Sequence, residues 1–141
     1  MKTKIQIKHI LGSVLFEYES ENNSVKETVE KAVKNGASLN GAILNRAILD
    51  GASLNGASLD GAILNGEILK KVPLQILGLR YFVFITQEQI KIGCELHKVK
   101  EWKKFDNETI LRMDGKEGLM WWKANKKFIF ECHKKHTEKG E

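Results

Sequence analysis

The sequence predicts a mainly β chain with α-helical caps, organised on a short solenoid of extended segments, and three observations carry that reading. Leucine recurs every fifth residue, from Leu39 through Leu44, Leu49, Leu54, Leu59, Leu64, Leu69 and Leu74 to Leu79. Alanine stands two positions earlier at Ala37, Ala42, Ala47, Ala52, Ala57 and Ala62, and glycine two positions later at Gly41, Gly51, Gly56, Gly61 and Gly66. A period of five is neither the 3.6 of a helix nor the 2 of a simple strand. Residues two apart in extended backbone nevertheless face the same way, so alanine and leucine point inward together. The polar residue and glycine that follow suit a corner, because glycine tolerates positive φ. The third observation is a longer register. The outward residues before each leucine read Ser38, Ile43, Ile48, Ser53, then Ser58, Ile63, Ile68, Pro73, which repeats after twenty residues.

These residues resemble the pentapeptide-repeat family, whose members wind four such units into each coil of a right-handed quadrilateral β-helix. The resemblance implies a parallel prism of about two to three coils over residues 37–80. Residues twenty apart would then stack at roughly 4.7–4.9 Å, placing Ile43 over Ile63 on one outer face and Ile48 over Ile68 on the next. Four isoleucines on the outside call for a cover. Two coils are also fewer than the three or so repeats a solenoid usually needs, so the flanks must add to the core.

The expected organisation is a cap over 1–36, the repeat over 37–80 and an extension over 81–141, together one compact domain. In the cap, Lys4–Lys8 and Val14–Glu19 alternate in character around Leu11-Gly12-Ser13 and predict a hairpin. Lys4 and Lys8 would oppose Glu17 and Glu19 on its wet face, with Ile5, Ile7, Phe16 and Tyr18 on the dry one. Ser24-Val25-Lys26-Glu27 is a capping box opening a helix of about three turns that stops at Asn35-Gly36. Past the alanines, the small inward position grows through Val72 and Leu77 to Phe82, with Phe84 in the leucine register, as though aromatic bulk closed the shaft. Glu67 stands where alanine belongs. An unpaired buried charge is costly, so a bulge turning the carboxylate outward is preferred to a partner among Lys70, Lys71 and Arg80.

In the extension, Tyr81–Ile85 and Ile90–Ile92 read as strands around Thr86–Gln89. A short helix around Glu101, Trp102 and Phe105 follows, then one over Asn107–Met113, then a third opened by Asp114-Gly115-Lys116-Glu117. Trp121, Ala124, Phe128 and Cys132 form its apolar stripe, flanked by Leu119, Trp122 and Ile129. The Ile-Gly-Cys-x-x-His and Met-Asp-Gly…Trp-Trp segments are similar to the tails of some bacterial and phage-borne pentapeptide-repeat proteins.

With 141 residues, 42% hydrophobic and 29% charged, the chain has the composition of one soluble globular domain. No apolar run reaches the ~18 residues of a membrane span, and Met1–Lys8 lacks the core of a signal peptide. A cytoplasmic location without membrane association is expected, with Cys94 and Cys132 as free thiols.

Three constellations bear on chemistry. Cys94-x-x-His97 with Cys132-His133-x-x-His136 has the composition of a zinc site, Cys94, His97, Cys132 and His136 being the candidate ligands. Neither half is a C-x-x-C knuckle, so the preferred reading has Cys94 in the core, the histidines solvated and no metal or other cofactor. Second, no nucleophile, base and orienting acid form a recognisable set, and the glycines are corners rather than a phosphate loop; no enzyme is expected. The third is charge. Of the net +5, residues 1–36 carry +1, residues 37–76 zero and residues 77–141 +4. Lys98, Lys100, Lys103 and Lys104 beside Trp102, and Lys123, Lys126 and Lys127 beside Trp121 and Trp122, form a candidate basic and aromatic partner surface, continued by Lys134, Lys135 and Lys139. Interleaved acids favour a merely solvated face.

The function predicted is a non-enzymatic binding or interaction module: a rigid scaffold engaging a protein or a small anionic ligand such as a nucleotide. The resemblance to phage-borne members is compatible with a host-directed inhibitor or a sequestering protein. Mimicry of duplex DNA toward gyrase, which the resemblance also implies for some members, needs a long acidic prism. This one is short and neutral, so that alternative is disfavoured, as is nucleic acid as a partner. For the patch of Ile43, Ile48, Ile63 and Ile68, two covers are expected: fold-back of the aromatic C-terminal helix, which is preferred, or the same patch on a second chain in a two-fold homodimer.

Overall fold

The computed structural model describes residues 1–138. It divides into two compact units, Met1–Pro73 and the chain from Leu74 onward. The secondary structure combines small sheets, whose named strands pair antiparallel, with helices that hold more residues than the strands do.

The first unit opens with strands β1 (Lys2–Lys8) and β2 (Val14–Glu21). Ile5 faces Tyr18 and Ile7 faces Phe16, as the alternation predicts, while Lys4 faces Glu19 and Gln6 faces Glu17. Lys4 also reaches diagonally to Glu17 at 3.5 Å, and a bulge at the turn puts Lys8 opposite Val14 rather than a glutamate. Helix α1 (Val25–Lys34) starts at Ser24, whose Oγ accepts from the Glu27 N–H at 3.0 Å, and ends at Asn35 before Gly36 at φ 74°. Its Val29 and Ala32 are fully buried.

The repeat follows with its inward residues where the pattern puts them: Leu39, Leu44, Leu49, Leu54, Leu59, Leu64 and Leu69 are all buried, as are Ala42, Ala52 and Ala62. Backbone bonds join residues nineteen or twenty-one apart. Leu39 N–H donates to the Ser58 carbonyl at 2.9 Å and Leu44 N–H to that of Ile63 at 2.8 Å, and Ile43 and Ile63 form a parallel bridge. Corner side chains follow the same register, since Asn40 Oδ1 accepts from the Asp60 N–H at 2.9 Å. Arg46, at φ 68°, holds a corner that glycine holds in most other units.

The second turn of the repeat departs from expectation at Asn65-Gly66. Both residues have positive φ, 51° and 79°, the conformation of a type I′ turn for which Asn-Gly is the preferred pair. The chain therefore reverses, and β3 (Ile63–Leu64) pairs antiparallel with β4 (Glu67–Ile68). Ile68 lies opposite Ile63, a neighbour that the twenty-residue register does not assign to it, and Leu64 lies opposite Glu67. Directly opposed residues share a face of a sheet. This explains why Glu67 is 3% exposed beside the buried Leu64 while Ile68 is 64% exposed, and it overturns the expectation of an outward carboxylate.

In the second unit, β5 (Leu74–Ile76), β6 (Val83–Ile85), β7 (Gln89–Ile92) and β8 (Glu95–Lys98) form an antiparallel meander in sequence order. Leu74 and Phe84, read above as continuing the leucine period, are strand residues of this sheet, and Leu77 is exposed. The register sets Leu74 against Ile85, Ile76 against Val83, Val83 against Ile92 and Ile85 against Ile90, giving one continuous apolar face. Helices α2 (Val99–Lys104) and α3 (Asn107–Thr137) contribute Val99, Trp102, Ile110, Trp122 and Ile129 to the same core. Helix α3 is broken at Asp114 and Gly115, where the backbone is non-helical, at the boundary the sequence marks. The stripe on its second half is rotated from the expected one: Trp122 and Ile129 are buried, whereas Ala124 and Phe128 are exposed. The large aromatics of this helix pack on the sheet of their own unit. Ile43, Ile48 and Ile68 remain 46%, 68% and 64% exposed.

Leu54→Ala should destabilise the chain by about 2–5 kcal/mol through a cavity, read as a lower denaturation midpoint. A graded test concerns two corners of similar φ, Gly41 and Gly56. A Cβ at Gly41 would fall 2.4 Å from the His9 ring, while one at Gly56 meets nothing within 4 Å. Gly41→Ala should therefore lower the melting temperature more than Gly56→Ala, and His9→Ala should remove the difference.

Candidate functional site

The lysines singled out in the sequence converge in the second unit around α2 and the end of α3. Lys103 of α2 and Lys126, Lys127, Lys134 and His133 of α3 line one groove with Phe130 at its floor and Glu131 as its acid. The Lys103 ammonium lies 5.8 Å from the centre of the Phe130 ring, a cation–π distance. A second depression, lined by Lys98, Lys100, Lys103 and Glu88, adjoins it through the shared Lys103. The geometry follows from local sequence. Lys126, Lys127 and Lys134 are exposed on the same helix that carries Trp122 and Ile129 into the core. His133 is held by donating from Nε2 to the Gln87 carbonyl at 2.7 Å. Lys123 and Lys104 are exposed outside the residues that line the groove, and Lys139 lies outside the described residues.

The tryptophans expected beside these lysines belong elsewhere. Trp102 and Trp122 are each 4% exposed and stack with ring centres 5.1 Å apart. The Trp102 indole N–H donates to the Ile90 carbonyl at 2.8 Å. A tryptophan supplies more stabilisation as core than as exposed surface, and this donor is satisfied inside. Trp121 is half-buried, edge-on to Tyr81 at 5.0 Å.

The cysteine and histidine residues do not converge. Cys94 is exposed on the turn after Gly93, rather than in the core. His97, on β8, is half-buried rather than solvated, bonded to Glu95 at 2.9 Å and packed edge-on against Trp102 and Phe105. Burial, reinforced by the neighbouring Glu131, pushes the Cys132 thiol above its ordinary range, away from the thiolate that zinc requires. Among the described residues no three groups from histidine, cysteine, aspartate and glutamate are arranged to hold a metal ion. Nor is any helix there long and apolar enough to cross a membrane.

One polar pair escaped the sequence reading. The Tyr81 hydroxyl donates to the Asp114 carboxylate at the break in α3, and Arg80 pairs with Glu117 one turn on. The signal available was Asp114-Gly115, which marks a helix start but does not reveal a partner thirty-three residues back. Donation to Asp114 holds the Tyr81 phenol above the ordinary tyrosine range. In a Tyr18→Phe background, Asp114→Asn should move the remaining phenol titration downward, as followed by ultraviolet difference absorbance.

The family model of pentapeptide repeats matches residues 35–66, in eight copies. That interval contains the buried leucines Leu39 to Leu64 and the backbone bonds between residues nineteen or twenty-one apart. No curated protein and no solved structure matches the chain. Residues 35–66 are thus similar to pentapeptide repeats.

Proposed function

We propose that the protein is a non-catalytic interaction module whose basic groove takes an anionic ligand or an anionic patch of a protein partner. The observation that carries this reading is the convergence of Lys103, Lys126, Lys127 and Lys134 around Phe130 and His133. Among the described residues none of those four lysines is held in an ion pair, so their charge is available to a ligand. Ammonium groups bind phosphate and carboxylate oxygens, and an aromatic floor adds a surface for a flat group such as a base. The repeat unit supports a scaffold role: four units per turn, judged from bonds nineteen and twenty-one residues apart around the Ile43–Ile63 bridge, fit a short quadrilateral β-helix. A sequestering protein of cytoplasmic location is compatible with this reading. Gyrase mimicry is not, given the net charge of +5.

A second reading concerns the first unit, where Ile43, Ile63 and Ile68 line up across three neighbouring strands and Ile48 adds a further exposed isoleucine. Self-association through this row would bury it in a two-fold dimer. Ile43→Asp should then convert a dimer into a folded monomer in sedimentation. A wild-type chain that sediments as a monomer at all concentrations removes this reading.

For the groove, tripolyphosphate and nucleoside triphosphates are the probes. A ligand at a hundredfold excess over its Kd stabilises by about 2.7 kcal/mol, so a raised melting temperature is expected. Lys126→Glu with Lys127→Glu should abolish the shift, and rising salt should weaken it. An unchanged melting temperature in low salt would refute the groove as an anion site.

A further inference from the structure

The second unit holds another concavity, separate in chemistry from the lysine groove. Its cavity of about 80 Å³ is walled by Trp102, Trp121, Trp122, Ile110, Ile92 and Met113. The size is of the same order as the ~150 Å³ apolar cavities that take up benzene. Its charged residues are acidic: Asp114 and Glu95 line it, and neither lysine nor arginine does. In a chain of net charge +5 that is a local reversal of sign. Arg80, which lies over the Tyr81 ring at 5.5 Å, is itself paired with Glu117, and Glu95 is bonded to His97.

Asp114 is placed rather than merely present. Its carboxylate accepts the Tyr81 hydroxyl, and its backbone is held outside the helical region at the break in α3. Gly118, in the following turn, makes room for it: a Cβ there would fall 2.6 Å from the Asp114 side chain. Glycine in a helix interior is unfavourable, so the sequence accepts a weaker helix where the alternative would displace this carboxylate. Tyr81 occupies one lone pair, and a carboxylate has capacity for several more donors. A preformed apolar cavity with one positioned acceptor at its rim is the usual form of a small-molecule site.

We propose that this cavity binds a small aromatic amine, with the ring among the tryptophans and the ammonium on Asp114. This site does not depend on the anion groove and stands if that groove fails. All three tryptophans of the chain line the cavity, so intrinsic fluorescence reports its occupancy directly. The probes are benzylamine, the isosteric anion benzoate, and neutral toluene, titrated against the full chain. Benzylamine should give a saturable change with affinity about tenfold or more above benzoate and toluene, one tenfold step corresponding to about 1.4 kcal/mol. Asp114→Asn should remove that preference while toluene affinity stays unchanged, which shows that the cavity survives. Met113→Phe, which adds volume at the wall, should suppress all binding while circular dichroism stays that of the wild type. Absence of saturable change with every probe, equal affinity for benzylamine and toluene, or undiminished binding by Met113→Phe would each overturn the assignment.

Discussion

A repeat segment this short depends on what pairs with its edges. Each extended segment presents N–H and C=O groups on both of its edges, and a buried group without a partner costs about as much as a lost hydrogen bond. Long solenoids satisfy most of these rows with further coils. Here the rows on one side are closed from within the same unit. Residues 8–10 lie against residues 41–43, where Ile43 N–H donates to the Lys8 carbonyl at 2.8 Å and Ile10 N–H to that of Gly41 at 3.0 Å. On the opposite side, residues 63–64 receive β4. The resulting order, residues 8–10, 41–43, 63–64 and 67–68, alternates antiparallel, parallel and antiparallel pairing.

The details of the cap follow from that constraint. The His9 ring occupies the space over Gly41, where a side chain would collide with it, and the backbone turns at Gly12. Elsewhere in the repeat, the Glu30 carboxylate of α1 accepts the Ser53 N–H at 2.8 Å. Hairpin and helix thus satisfy separate backbone donors of the repeat, and the hydrophobic contribution of Val29 and Ala32 accompanies them. The same logic accounts for Glu67. Reversing the chain at Asn65-Gly66 covers the edge at 63–64, and the residue then carried to the inner face is the one opposite Leu64.

The second unit solves its burial differently, with one apolar sheet face and two helices around a chain of aromatic contacts. Trp122 bridges Trp102 and Phe130, with ring centres at 5.1 and 5.5 Å, and Trp102 continues to Phe105 and His97. Committing these rings inward leaves lysines outside, so the unit presents a basic groove on one side and an acidic-rimmed aromatic cavity on another.

The sequence by itself determined the elements whose signal is local or strictly periodic. Leu39 to Leu69 are buried because their five-residue spacing repeats one inward direction. The hairpin and α1 sit where alternation and Ser24 put them, and α3 breaks at Asp114-Gly115. The lysines of the candidate groove were legible as charge, and their convergence at Phe130 was not. Tertiary structure alone decided the rest, because those outcomes are comparisons between distant partners. Asn65-Gly66 occurs inside a pattern that elsewhere turns a corner, and only pairing at 63–64 makes it a reversal. Trp102 and Trp122 carry no mark distinguishing a surface ring from a core ring until the sheet face is present to bury them. Tyr81 and Asp114 are joined only when the segment before β6 and the break in α3 are brought together, which no spacing along the chain encodes.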